Sequence, residues 1–444
     1  MRLLTSFRRL LRPAGLAILG GVASILTAQA AGGSARGVAR PVDTVILISV
    51  DGLRWDHTLA KEAPNLARMR AEGVSASRLI PPFPSNTFPS HATLVTGAHP
   101  DRHGVINNRF LDRDRGVFQR EGEADWLLVE PLWAAAERQG IRTAVQHWVC
   151  ASTPWRGVSP THSEPFKPGV RDSTKVGVIL KWLRTAGPSR PRLILTYLGG
   201  VDAAGHREGP GSEAVRRRIG ETDRLIGRLI EEMQRHDRPI ALVVVSDHGQ
   251  AAVSKVHRLD RLLRGEASEV RSFSSGATAN LYCPGEKSCR AAEEALNGIG
   301  GIEIYRREDL PDRLRYDNPL RTGDLVAIAP SGSYFADQAG GAPARGMHGF
   351  DPDREEMHGV FHAWGAGLNR GAVRERVRSI DVAPFVSRLL GIEPPRGSEG
   401  VAPADLLEPL SPDRESGDPE AYPQSQGRSP ADLHQDPVAG VAQP

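Results

Sequence analysis

Asp43-Thr-Val-Ile-Leu-Ile-Ser-Val50 is a nearly unbroken apolar run that ends at Asp51-Gly52. Runs of this kind mark strands buried on both faces of a parallel sheet. Similar runs occupy residues 141–148, 192–198 and 239–246. Helical stretches alternate with them. One covers residues 64–73, with Pro64 in its first turn and Gly73 after its last, the usual asymmetry of helix ends. Others cover 130–139, 174–184 and 212–235, the last with Ile219, Leu225, Ile226, Leu229 and Ile230 among its apolar positions. Strands alternating with helices predict a doubly wound α/β fold, a mostly parallel central sheet with helices on both faces. Ligands of such folds gather beyond the carboxyl ends of the strands.

The expected catalytic domain spans residues 43–395. Within it, the glycine-rich and charged residues 250–345 are expected to form a smaller accessory sheet or cap, with a strand at 324–328. Residues 359–365 read as a further strand and 380–390 as a final helix. Residues 150–171, rich in Pro, Ser, Thr and aromatics, read as an irregular loop over the site.

The ends of the chain differ from its middle. Arg2, Arg8, Arg9 and Arg12 precede an apolar stretch at 13–26 and the small-residue word Ala28-Gln29-Ala30. This is the pattern of a secretory signal over residues 1–30, followed by a linker over 31–42. The apolar stretch is short of the roughly 20 residues of a membrane span, although retention as an anchor is the competing reading. Periplasmic or secreted localisation follows. Residues 409–444 hold seven prolines and little apolar periodicity, so they are expected to be a disordered tail. In an oxidising compartment Cys283 and Cys289 can close a small disulfide, leaving Cys150 outside it. The formal charge of +3 on 444 residues is nearly balanced. With no long basic run, composition makes no case for a nucleic-acid-binding surface.

Asp51, Asp202 and Asp247 lie at the ends of three separate apolar runs. A carboxylate there is often only a turn former. Here His206 follows Asp202 by four residues and His248 adjoins Asp247. Asp and His together suit zinc in preference to manganese or iron. Two further histidines sit in nearly repeated words, Gly346-Met347-His348-Gly349 and Glu356-Met357-His358-Gly359. Composition does not separate them; the glycine-rich surroundings of His348 let backbone fold close to a metal and favour it. The remaining histidines, among them His147, His162, His257 and His362, read as structural.

Pro84-Ser85-Asn86-Thr87-Phe88-Pro89-Ser90-His91 leads into a helix whose first turns are read at 91–96. A threonine there is ordinarily a cap. It is also well placed to attack a phosphate held by the helix N-terminus. Its hydroxyl needs a metal to become a competent nucleophile, so Thr87 and the metal ligands stand as one expectation. Three carboxylates offset most of the charge of two Zn2+ ions, and the remainder can hold an anionic phosphate.

Taken in order, Val50-Asp51-Gly52, Thr87-Phe88-Pro89-Ser90-His91, His103-Gly104 with Asn108, Asp202-x-x-Gly-His206-x-x-Gly-Pro210, Ser246-Asp247-His248-Gly249 and His348-Gly-Phe-Asp351 resemble the nucleotide pyrophosphatase/phosphodiesterase family of the alkaline phosphatase superfamily. The resemblance implies that Asp202, His206 and His348 bind one zinc. Asp51, Asp247, His248 and Thr87 would bind the other. It implies that Thr87 forms a covalent phosphothreonine-type intermediate, and that the Asn108 side chain and the Phe88 N–H stabilise a phosphate oxygen. Phe88 would also stack on the base of a nucleotide. Where relatives place a second stacking tyrosine this chain has Phe166, and Trp148-Val149-Cys150-Ala151 replaces a Trp-Pro-Gly word. Both departures bear on the leaving group and leave the metal chemistry intact.

The substrate is thus expected to be a small phosphodiester, a nucleotide in the first instance. The alternatives are a threonine-dependent phosphate monoesterase, which needs an extra positive group for the second phosphate charge, and a lipid-headgroup phosphodiesterase. Weaker ones are a phosphonate or sulfate ester hydrolase. A catalytically dead binding module would be expected to have lost a ligand or the nucleophile, and every position is filled.

Overall fold

The computed structural model describes residues 42–409 apart from Ala60, Glu121 and Gly341. The expected signal segment, all of the linker but Val42 and all of the tail but Pro409 lie outside them.

The strands of the central sheet, numbered along the chain, are β1 (Thr44–Val50), β2 (Val74–Ile80), β3 (Thr143–Gln146), β4 (His162–Glu164), β5 (Leu193–Leu198), β6 (Ile240–Val245), β7 (Gly359–Gly365) and β8 (Val373–Arg378). They lie side by side in the order β8-β2-β7-β6-β1-β5-β3-β4. Only β7 runs against its neighbours; every other pairing is parallel. All seven residues of β1 and all six of β6 are buried. Alternate residues of β1 feed two separate cores, Val45 and Leu47 on one face and Ile46, Ile48 and Val50 on the other. The continuous apolar run is therefore the signature of a doubly covered strand.

The helices longer than one turn are α1 (Pro64–Glu72), α2 (Thr87–Thr96), α3 (Leu132–Arg138), α4 (Asp172–Arg184), α5 (Gly200–Glu208), α6 (Glu213–Met233), α7 (Glu286–Asn297) and α8 (Val382–Leu390). Helices α2, α3 and α8 cover one face of the sheet; α1, α4, α5 and α6 cover the other. A smaller antiparallel sheet of Arg271–Ser275, Thr278–Tyr282, Leu325–Ile328 and Glu303–Arg306 packs with α7 around its own core. Cys283 and Cys289 are joined by a disulfide at its edge.

Four local differences from the sequence reading have physical causes. Helix α2 starts at Thr87, with Asn86 as its cap, so Thr87 is a first-turn residue and not the cap. Asp202 does not directly follow its strand; it is the third residue of α5, which places it one turn below His206. The loop over the site contains β4, whose parallel pairing with β3 was hidden by its polar sequence His-Ser-Glu. The charged edge strand β8, Val-Arg-Glu-Arg-Val-Arg, has its polar side chains in solvent, as exposed edges usually do. The fold also runs past residue 395, for Leu407 bridges Leu368 and Leu406 is fully buried.

One buried carboxylate ties two of these helices together. Helix α1 has no side-chain cap of its own. Asp223 of α6 accepts hydrogen bonds from the backbone N–H groups of Asn65 (3.2 Å) and Leu66 (2.8 Å) instead. Asp223→Ala leaves those donors buried and unpaired, and is expected to cost about 1–3 kcal/mol. Denaturant midpoints of the two proteins check this.

Candidate functional site

Strand β1 lies between β6 and β5, with Val50 beside Leu198 and Ser49 beside Val245. Their carboxyl ends therefore open on one edge. Asp51, Asp247, His248 and the start of α5 all emerge there, and α2 brings Thr87 from across the cleft. Gly52, at φ +69°, turns the chain so that its N–H donates to Asp247 Oδ1 at 3.2 Å.

The structure brings together Asp51, Thr87, Asp202, His206, Asp247, His248 and His348. His248 Nε2 lies 3.4 Å from Asp51 Oδ1, 3.2 Å from Asp247 Oδ2 and 3.3 Å from Thr87 Oγ1. His206 Nε2 lies 3.2 Å and His348 Nε2 3.8 Å from oxygens of Asp202. Two groups of potential ligand atoms fall within 4.8 Å of one another, Asp51-Asp247-His248 and Asp202-His248-His348. His358 is elsewhere, its Nε2 on Pro352 O at 2.9 Å. Of the two repeated words, the structure brings the histidine of the first, His348, to the cluster.

The donor set fits metal ions. In each histidine Nδ1 is committed, His206 to Gly346 O, His248 to Gly249 O, and His348 to Ser85 O and Asn86 Oδ1. Nε2 is left to face the centre, the tautomer a metal requires. Each aspartate is likewise oriented through one oxygen. Tyr197 donates to Asp51 Oδ2 (2.6 Å), Gln250 to Asp202 Oδ1 (2.8 Å), and His248 N–H to Asp247 Oδ1 (3.0 Å). Asp51 Oδ1 and Asp247 Oδ2 are buried with no hydrogen-bond partner. Orphaned carboxylate oxygens this deep are costly unless a cation meets them.

The electrostatics say the same. Burial, and then the charge of Asp202, push Asp51 up to about 8. Burial and the charge of Asp51 hold Asp247 well above the usual carboxylate range. Burial lowers His248 to about 4 and takes His348 well below its usual value. For His206 burial is opposed and outweighed by the hydrogen bond and charge of Asp202, which push it up to about 9. Left without counter-charge these groups repel or neutralise one another; divalent cations relieve all of them at once.

Asn108 is buried beside the helix that carries Thr87, and its Oδ1 accepts from Phe88 N–H at 2.8 Å. The two groups expected to donate jointly to a phosphate oxygen are thus bonded to each other. The Asn108 amide N–H2 is the donor that remains. Its backbone is fixed by Asn107 Oδ1, which also accepts from Asn86, the residue that orients His348.

A cavity of about 360 Å3 opens onto these residues. Phe88 and Phe166 both line it. Phe166 is 56% exposed, so its ring is available to a ligand and is not part of the core. His147, read from sequence as structural, also lines the cavity, its ring 5.9 Å from that of Phe166. Its Nδ1 accepts from Lys167 N–H at 3.2 Å. His162, His257 and His362 bond to Ser189 O, Ser333 Oγ and Thr58 Oγ1 respectively, away from the cavity.

Sequence reasoning missed Tyr197, Gln250, Asn86, His91 and Arg120. His91 is fully buried, with Nδ1 2.8 Å from Thr87 O and 3.4 Å from Asp247 Oδ2. Arg120 is the one Arg or Lys lining the cavity among the described residues. For Gln250 a signal existed in Gly205, where a Cβ would lie 1.7 Å from Gln250 Oε1. The glycine of the Asp-x-x-Gly-His word makes room for the side chain that orients Asp202.

Comparison with known proteins agrees with this geometry. The family model for type I phosphodiesterase/nucleotide pyrophosphatase matches residues 45–351. An uncharacterised pyrophosphatase/phosphodiesterase of Schizosaccharomyces pombe is 30% identical over 81% of this chain and 80% of its own length. Ectonucleotide pyrophosphatase/phosphodiesterase family member 7 of Rattus norvegicus is 29% identical over 80% and 86%. Among solved structures, murine ectonucleotide pyrophosphatase/phosphodiesterase 5, in an inactive threonine-to-alanine form in complex with AMP, superposes with a TM-score of 0.76. It is 25% identical, over 82% of this chain and 100% of that one.

Proposed function

The chain belongs to the type I phosphodiesterase/nucleotide pyrophosphatase family and is a hydrolase of phosphodiester or pyrophosphate bonds, and on that premise we propose that it is a di-zinc, threonine-dependent enzyme acting on nucleotides. The observation that carries this is the pair of orphaned buried carboxylate oxygens, on Asp51 and Asp247, beside His248 Nε2, which lies 3.3 Å from the Thr87 hydroxyl.

Asp202, His206 and His348 would hold one zinc, and Asp51, Asp247, His248 and Thr87 Oγ1 the other. The ions would supply acidification of the threonine hydroxyl and neutralisation of phosphate and leaving-group charge. Thr87 Oγ1 attacks phosphorus, forming the threonine–phosphate bond as the bond to the leaving oxygen breaks. Water then cleaves the threonine–phosphate bond and restores the hydroxyl. The Asn108 amide donates to a non-bridging phosphate oxygen as charge builds on it. Asn108→Ala is expected to lower kcat about 10²–10³-fold with little change in KM, the mark of a donor used in the transition state. Phe88 and Phe166 sandwich the base. Loss of one stacking ring in Phe166→Ala is expected to raise KM for a nucleotide ester about tenfold, and to leave that of bis-nitrophenyl phosphate nearly unchanged. The AMP held by the murine neighbour and the inactivity of its threonine-to-alanine form support both assignments.

Export to the periplasm or medium is supported by the signal-like N-terminus and by the Cys283–Cys289 disulfide. Among the described residues no helix is long and apolar enough to cross a membrane.

One observation favours a second reading. Arg120 at the cavity is the kind of positive group that a phosphate monoesterase needs for the second phosphate charge. Matched aryl substrates decide between the two. Nitrophenyl thymidine monophosphate, bis-nitrophenyl phosphate and nitrophenyl phosphate are compared with zinc present. The nucleotide diester is expected to be cleaved best; preference for the monoester would overturn the diesterase assignment.

A further inference from the structure

The wall of the catalytic cavity holds a buried polar side chain that the reaction above does not use. His147 directly follows β3, at the carboxyl end of that strand, lines the cavity and is 4% exposed. Ligands of this class of fold gather at such strand ends. Its backbone is left-handed, at φ +57°. A histidine adopts that conformation at a cost, and residues held this way cluster at ligand clamps. The His147 N–H donates to Glu164 O at 2.8 Å, which ties the residue to the end of β4.

The hydrogen bonds of the ring fix which nitrogen carries the proton. Nδ1 accepts from the Lys167 N–H at 3.2 Å, so Nδ1 is bare. Burial and the charges of Lys175 and Lys167, opposed by Asp172, lower the group to about 4, so the ring is neutral near pH 7. Nε2 therefore bears the hydrogen. It has no hydrogen-bond partner among the described residues, and it is not sealed off inside the protein. An unpaired donor in so buried a side chain is costly. A phenylalanine of similar size would fill the place without that cost.

Position says which part of a ligand this hydrogen meets. The His147 ring lies 5.9 Å from that of Phe166 and at 86° to it. Trp148 and Val149, which follow it, add apolar surface to the cavity wall. Of the other polar side chains there, Tyr197 is committed to Asp51, and Arg120 and Ser152 are exposed. The rest belong to the ligand cluster, to Thr87 or to Asn108. We propose that His147 is a specificity-determining residue. Its Nε2–H donates to an acceptor on the edge of the ring that stacks on Phe166, and so selects bases carrying a carbonyl oxygen or ring nitrogen there over apolar rings of the same shape. The inference rests on the functional reading above and adds to it a residue and a selectivity.

The test uses the mature enzyme with zinc and a pair of nitrophenyl esters of one shape. One is that of thymidine monophosphate; the other is that of its difluorotoluene analogue, in which fluorines replace the carbonyl oxygens. The quantity read is the ratio of their kcat/KM values. Wild type is expected to favour the thymidine ester by about tenfold or more, through KM. In His147→Phe and in His147→Met the preference is expected to vanish. KM for the thymidine ester rises about tenfold, while its kcat and both constants for the analogue hold. His147→Gln, whose amide nitrogen can stand where Nε2 stood, is expected to restore part of the preference. A purely structural role would slow both esters alike. No preference in wild type, or a preference that survives in the Phe or Met variant, overturns the proposal. If wild type cleaves neither ester, or prefers nitrophenyl phosphate to both, the functional reading falls and this inference falls with it.

Discussion

Thr87→Ala is expected to lower the turnover of a nucleotide diester by about 10³-fold or more while the protein keeps its fold and its metal. Thr87 begins α2 with its Oγ1 3.3 Å from His248 Nε2, inside the group of ligand atoms. In the proposed mechanism the substitution removes the nucleophile and one oxygen ligand. Asp51, Asp247 and His248 remain, enough for the three protein ligands typical of a catalytic zinc. The helix itself does not depend on the hydroxyl, because Asn86 is the cap. Metal content by mass spectrometry and circular dichroism should therefore match wild type. Thr87→Ser keeps the hydroxyl and is expected to retain much of the activity that Ala loses. A Thr87→Ala enzyme within about tenfold of wild type would remove the threonine from the chemistry.

Removal of metal is the second large effect. Dialysis against a chelator is expected to reduce hydrolysis to background, and zinc to restore it. Magnesium, which prefers octahedral oxygen sites, is not expected to do so. The restoration carries a pH dependence whose sign follows from the site. Metal binding requires Asp51, pushed up to about 8, and His206, pushed up to about 9, to lose their protons. Binding therefore releases protons, and apparent zinc affinity rises with pH until about 9 and falls as pH drops through 8. Calorimetry in buffers of different ionisation enthalpy measures the protons released. Because the proposed sites are assembled only in the folded chain, the stripped protein should also melt at a lower temperature.

What the sequence disclosed, and what it withheld, divides along physical lines. Strands β1 and β6 were legible because burial on both faces leaves no polar alternation to obscure them. That Asp51, Asp247, His248 and His206 gather at one edge was legible because they stand near the ends of such runs, where chemistry outside the strand ends is expected. The residues that orient them were not. Tyr197 lies inside an apolar strand, Gln250 follows a motif without belonging to it, and Asn86 precedes the threonine in a stretch where the threonine draws the attention. Their roles depend on contacts between segments far apart in the chain, 146 residues between Tyr197 and Asp51 and 48 between Gln250 and Asp202.

The Asn108–Phe88 pair is instructive in another way. The motif points to both groups as donors, whereas in the folded chain Phe88 N–H donates to the Asn108 amide oxygen, which leaves the N–H2 of this cavity-lining residue as the remaining donor. One donor is thereby held in place by the other.

The account stands or falls on a covalent bond to Thr87, and the stereochemical course at phosphorus tests this without requiring the intermediate to accumulate. Hydrolysis of a chiral phosphorothioate diester in isotopically labelled water would be followed to the configuration of the product. Two successive in-line displacements, the first by Thr87 and the second by water, predict net retention. Net inversion would mean that water attacks the diester directly, and would contradict the mechanism proposed for this site.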